Sequence, residues 1–162
     1  MAKLSKQPDN NVIDLDISVT RKKRFRFDKD DSRMVDINIA DMGAISRLTE
    51  TYPKFDEWIK EVKYVSEVAN DEEGDTLNSM NKISETLTNI DKQMRDAIDY
   101  IFNAPVSAAA APEGSMYDLF EGEFRFEHIL TLLLEHYENN MAAEFAKMQK
   151  QLEKHTNKYT KK

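Results

Sequence analysis

Seven apolar residues, Met80, Ile83, Leu87, Ile90, Met94, Ala97 and Ile101, follow one another at alternating intervals of three and four. An α-helix gathers such a series onto one face, and a strand scatters it over two. Leu77 and Ile98 widen the stripe. A wide stripe belongs to a helix packed inside a bundle rather than to a bare two-stranded coil. The chain must therefore supply other apolar faces to cover this helix.

Further helical periodicity supplies them. Asp41 is placed to cap a short helix reaching about Thr51, with Ile45 and Leu48 inward. Pro53 suits the first turn of a second helix, whose apolar residues are Phe55, Trp58, Ile59, Val62 and Val65. The stretch 69–75 reads as a break, with Gly74 as its stop. Two prolines, a glycine and five alanines make 103–115 a loop with room for one helical turn, and 116–122 reads as a compact turn carrying exposed aromatics. A last helix starts near Phe124. Phe126, Ile129, Leu130, Leu133 and Tyr137 form its inner face, and Met141, Phe145, Met148 and Leu152 extend it. Beyond Leu152 the pattern thins and the tail is expected to fray.

The first 40 residues have a different period. Ile13, Leu15, Ile17 and Val19 alternate with Asp14, Asp16 and Ser18; Phe25 and Phe27 alternate with Arg24 and Arg26; Val35, Ile37 and Ile39 alternate with Met34, Asp36 and Asn38. Period 2 predicts half-buried strands. The expected fold is α+β: a three-stranded antiparallel meander with turns near 20–23 and 28–33, then about four helices, the last one long. Its parts are a disordered lead-in (1–11), the meander (12–40), a helical region (41–102), a loop (103–123), and a long C-terminal helix with a basic tail (124–162).

Charge is divided just as unevenly. The net charge is −7, yet residues 28–123 carry 22 acidic against 9 basic side chains, while 147–162 carry six Lys against one Glu. With no cysteine in the sequence, disulfides, thiolate metal ligands and cysteine nucleophiles drop out. The polar start MAKLSKQPDNN has no signal-peptide core, and no apolar run approaches the ~20 residues of a membrane span. No phosphate-cradling glycine loop, nucleophile elbow or zinc-protease motif occurs. Glu127-His128 and Glu135-His136 tempt a metal reading, but neighbours on a helix lie ~100° apart and do not share a face. No enzyme, metal or cofactor is expected.

Five of the six residues from Arg21 to Arg26 (Arg21, Lys22, Lys23, Arg24 and Arg26) are basic. Such a spot invites a nucleic-acid reading, but that needs a positive field over a whole face, and the body is acidic. With Phe25 and Phe27 on the core side, Arg24 and Arg26 fall on the polar face, within reach of Asp14, Asp16 or Asp36. Thr20 to Lys23 then serve as the hairpin connection.

The order of these features, with the wording IDLDISVTRKKRFRF, MVDINIADMGAISRL, MRDAIDYIF, GSMYDLFEGEFRFEHIL and the ending KHTNKYTKK, resembles the tail assembly chaperones of long-tailed, siphovirus-type bacteriophages. The resemblance runs from about residue 12 to 160, apart from 65–80. It implies a non-enzymatic helper in the cytoplasm of an infected bacterium, absent from the mature virion. Such a helper binds the helical tape-measure protein, keeps it soluble, recruits tail-tube protein and can form homo-oligomers; neither a membrane nor a nucleic acid is an implied partner. The stripes then offer Met80, Ile83, Leu87, Ile90, Met94, Leu133, Tyr137, Met141, Phe145 and Met148 as contacts, shared between self-packing and client. Two other readings stand beside it: a structural tail component retained in the virion, and a small nucleic-acid-binding phage regulator using 21–26.

Overall fold

The structure is a computed structural model, and it describes residues 11–18, 20–71 and 76–160. Most of the expected lead-in, the expected stop at Gly74 and the last two lysines lie outside the described residues. The chain is mixed α/β, about 65% helical. Strands β1 (Lys22–Arg26) and β2 (Met34–Asn38) precede helices α1 (Gly43–Asp71), α2 (Thr76–Phe102) and α3 (Val106–Ala110). A two-residue pair, β3 (Leu119–Phe120) and β4 (Glu123–Phe124), leads into α4 (Arg125–Thr160).

Among the described residues the N-terminal sheet has two strands, not three. β1 and β2 pair antiparallel with Arg24 opposite Asp36 and Phe25 opposite Val35. In the connection between them Asp28 and Lys29, at φ 52° and 58°, are the left-handed centre of a four-residue turn that Asp30 N closes on the Phe27 carbonyl (3.0 Å). Asp30 accepts from both the backbone N–H (2.9 Å) and the hydroxyl (2.7 Å) of Ser32, which holds its carboxyl below the usual range. Lys22 and Lys23 lie inside β1, not in a connection. The segment 12–18 joins no sheet, and its Val12, Ile13, Leu15 and Ile17 are 61–82% exposed. Alternation predicts a strand only when some edge receives it.

The helical region departs from expectation at Pro53, which lies inside α1 rather than at the head of a second helix. Proline removes one backbone bond and costs a helix interior about 3 kcal/mol. Packing offsets this. Ala44, Leu48, Thr51, Phe55, Trp58, Val62 and Val65 are buried or half-buried at intervals of four and three straight through the proline. Bending away there would take Phe55 and Trp58 out of the core. Asp41 does cap the helix: its Oδ1 accepts from Gly43 N (3.0 Å), and its Oδ2 binds Arg47 (2.6 Å), which also donates to the Ile101 carbonyl (2.9 Å). The inward residue of that first turn is Ala44, and Ile45 is exposed.

α2 ends as its sequence allows. Asn103, at φ 49°, adopts the left-handed cap, and Ala104 N reaches back to the Asp99 carbonyl (3.3 Å). The Asp99 carboxylate then receives Ser107 N (2.7 Å) and Oγ (2.8 Å), fixing the start of α3. Guanidinium groups tie the following loop down. Arg95 donates to the carbonyls of Ala111 (2.8 Å) and Gly114 (3.0 Å) while paired with Asp91 (2.8 Å), and Arg33 donates to Ala109 (2.9 Å) and Ala110 (2.5 Å). Glu121 and Gly122, at φ 49° and 83°, close the β3–β4 turn.

The core is the seam of α1, α2 and α4, closed by α3 and the hairpin. Phe126 meets Phe55 and Trp58 edge-on, with centroids 4.7 and 5.7 Å apart, and Trp58 Nε1 donates to Gln93 (2.8 Å). Phe25 lies edge-on against His136 at 4.9 Å, and Asn140 donates to the Ile39 carbonyl (3.3 Å), so the hairpin leans on α4. α4 does not fray after Leu152; it is helical to Thr160. No described helix is long and apolar enough to cross a membrane.

One buried group is unsatisfied: the Tyr137 hydroxyl has no hydrogen-bond partner among the described residues. Burial, with Asp41 adding repulsion, pushes its pKa up to about 12. An unfolded tyrosine ionises near pH 10. Between these values the folded state keeps a proton that the unfolded state has released, so stability falls as pH rises from about 10 to 12. Tyr137→Phe is expected to shrink that alkaline loss and to change stability by no more than about 1 kcal/mol at pH 8. Thermal melts of both proteins at pH 8 and pH 11 check this; an equal alkaline loss in both would place its origin elsewhere.

Candidate partner-binding surface

The stripes divide between core and surface. Ile90, Met94, Leu133 and Tyr137 are 0–3% exposed and belong to the core. Ile83, Leu87 and Met141 are half-buried. Met80, Phe145 and Met148 are 53–61% exposed, and Leu152 and Leu77 extend the same stripes at 61% and 71%. The residues the structure leaves for a partner are therefore the start of α2 and the far part of α4. Periodicity cannot make this division, because it reports only that residues share a face.

The far part of α4 is the larger of the two. Every described side chain from Ala142 to Lys158 is exposed. Seventeen helical residues at 1.5 Å each form an arm of about 25 Å. Along it, Met141, Phe145, Met148 and Leu152 recur at four, three and four, and Lys147, Lys150, Lys154 and Lys158 supply charge between them. At its base Glu144 Oε1 accepts from Arg21 (3.4 Å) and pairs with Lys147 (3.0 Å).

A second concave area opens where the β1–β2 turn, the loop after α3 and the β3–β4 hairpin meet α4. This cleft of about 690 Å³ is lined by Arg33, Arg125, Asp118, Leu119, Phe120 and Leu132, among others. Leu119, Phe120 and Leu132 are 71%, 62% and 47% exposed. Exposed aromatics at 116–122 are legible in the sequence, but Leu132 joins them only through the fold. Its position on α4 looks like ordinary flank. Met116 and Tyr117 turn the other way: Met116 is fully buried and Tyr117 packs on the core.

The basic spot is largely occupied by its own neighbours. Arg24 forms a two-pronged bond to Asp36 (2.8 and 3.2 Å), Arg26 binds Asp31 (2.8 Å) and Arg21 reaches Asn140 (3.2 Å) and Glu144. The Arg24 guanidinium holds the Asp36 carboxyl below the usual carboxylate range, and Asp36 raises Arg24 in return. Of the expected partners Asp14, Asp16 and Asp36, only Asp36 is engaged by Arg24; Arg26 takes Asp31 from the turn instead. His128 and His136 lie against Phe120 and Phe25.

Compared with protein-family models, curated proteins and solved structures, the chain matches none.

Proposed function

We propose that the protein is a non-enzymatic tail assembly chaperone of the long-tailed bacteriophage type, working in the host cytoplasm and left out of the finished particle. It binds the helical tape-measure protein, keeps it soluble and helps recruit tail-tube subunits. The observation that carries the reading is the exposed amphipathic arm of α4. A long amphipathic client is a hazard in solution because its apolar stripe lies bare. A helix with Met141, Phe145, Met148 and Leu152 along one face can lie against such a stripe, and methionine repacks around uneven partners. The acidic body supports solubility of the pair.

The test is coexpression with a candidate tape-measure protein. Phe145→Asp/Met148→Asp should leave the chaperone folded, since both positions are exposed, and should cut the soluble client at least severalfold. A client that stays equally soluble would overturn the assignment of this face. A structural tail component is the second reading, favoured by the open outer edge of β1. Mass spectrometry of purified particles separates the two, since a structural part would be present in fixed copies. The ion pairs of Arg21, Arg24 and Arg26 argue against a nucleic-acid-binding regulator.

A further inference from the structure

The outer edge of β1 and the exposed segment before it complement each other. β1 pairs with β2 on one side and with no other strand among the described residues. On the paired side, Ile39 N donates to the Arg21 carbonyl and Phe27 N to the Arg33 carbonyl, both at 3.0 Å. Hydrogen-bonding residues alternate along an antiparallel ladder, so the odd residues of β1 face β2. The backbone groups of Lys22, Arg24 and Arg26 therefore point out of the open edge. Basic side chains there repel ordinary strands, and a strand with carboxylates in matching positions would be accepted.

The chain carries such a strand. In 12–18, Asp14 and Asp16 alternate with Ile13, Leu15 and Ile17. We propose that 12–18 pairs antiparallel with the outer edge of β1 in a second copy of this chain, each copy giving its segment to the other. The register is set by charge. With Asp16 opposite Arg24, Asp14 falls opposite Arg26 and Ser18 opposite Lys22, all on the polar face. Leu15 then falls opposite Phe25 and Ile13 opposite Phe27, on the apolar face. Residues opposite each other sum to 40, so the two-fold axis passes at Thr20 and the contact closes on itself as a dimer. Arg24 is held between Asp36 of its own sheet and the incoming Asp16.

Pairing within one chain is the competing arrangement, and the connection opposes it. Arg21 is already held in line with β2 through Ile39 N and through its own N–H to Asn38 Oδ1 (2.9 Å). A two-residue turn before it would fall on Val19 and Thr20. Tight hairpins require positive φ, which β-branched residues resist. The proposal stands independently of the chaperone reading.

Sedimentation equilibrium of the full chain tests it, with two charge-reversed variants. Asp14→Arg/Asp16→Arg should dimerise at least tenfold more weakly than wild type with unchanged circular dichroism; Arg24→Asp/Arg26→Asp, which also loses the Asp36 and Asp31 pairs of its own hairpin, should do so with its helical signal retained. Mixing the two restores both matched contacts, so the mixture should recover the dimer. A wild type that remains monomeric at about 100 μM, or variants that associate as it does, would overturn the proposal. Because the sequence has no cysteine, Thr20→Cys adds an independent readout. On oxidation it should yield a covalent dimer across the axis, while Lys29→Cys, in the far turn, should not; equal yields from the two would count against the register.

Discussion

Phe126→Ala is expected to remove about 3–5 kcal/mol of stability. Phe126 is 2% exposed, and its ring is met edge-on by Phe55 and Trp58. It joins α4 to α1 at the start of the long helix, where its backbone N–H also donates to the Met116 carbonyl (2.9 Å). Truncation leaves a void that two rings and the loop cannot collapse into without losing their own contacts. Since a domain of this size holds about 5–15 kcal/mol in total, the variant should be near the edge of folding at 37 °C. Urea denaturation followed by Trp58 fluorescence checks this, through a lower midpoint at an unchanged slope. The control is Phe145→Ala. The same side-chain deletion at a position 54% exposed should shift stability by no more than about 0.5 kcal/mol. Similar losses at both sites would mean that the far part of α4 is packed rather than free.

Asp91→Ala should cost about 2–3 kcal/mol, although no apolar contact is lost. One carboxylate oxygen accepts from Met116 N (2.7 Å), and the other orients Arg95 (2.8 Å) towards the Ala111 and Gly114 carbonyls. Met116 is fully buried, so its N–H would lose its partner in a place water does not reach. Asp91→Asn keeps an acceptor for Met116 but weakens the charge-assisted bond to Arg95. It should fall between Ala and wild type. Denaturation gives the ordering, and limited proteolysis gives the location: cleavage should rise first in 111–118. If the Ala variant matches wild type in both, Asp91 does not organise the loop.

The helices were legible because their signals are local. The 80–101 stripe, the 126–137 face, the Asp41 cap and the stop near Asn103 each depend on residues within a turn or two of one another. Pro53 was misread because its local cost is offset by Phe55 and Trp58 packing on α2 and α4, which no local pattern shows. The third strand was misread for the opposite reason. The period in 12–18 is clean, but alternation within a segment says nothing of a partner, and 12–18 pairs with no strand among the described residues.

The sequence by itself determined the mixed, mainly helical character, the helical stripes and the separation of an acidic body from two basic spots, because periodicity and charge are properties of the chain. Only the tertiary structure decided which part of each stripe is core and which is surface. Ile90 and Phe145 have equal claims on paper. One is fully buried in the core and the other stands exposed on the far part of α4, because burial depends on where the other elements stop. The same holds for the basic spot: five cations read alike in sequence, but the β1–β2 register gives Arg24 to Asp36, the turn gives Arg26 to Asp31, and the lean of the hairpin gives Arg21 to α4.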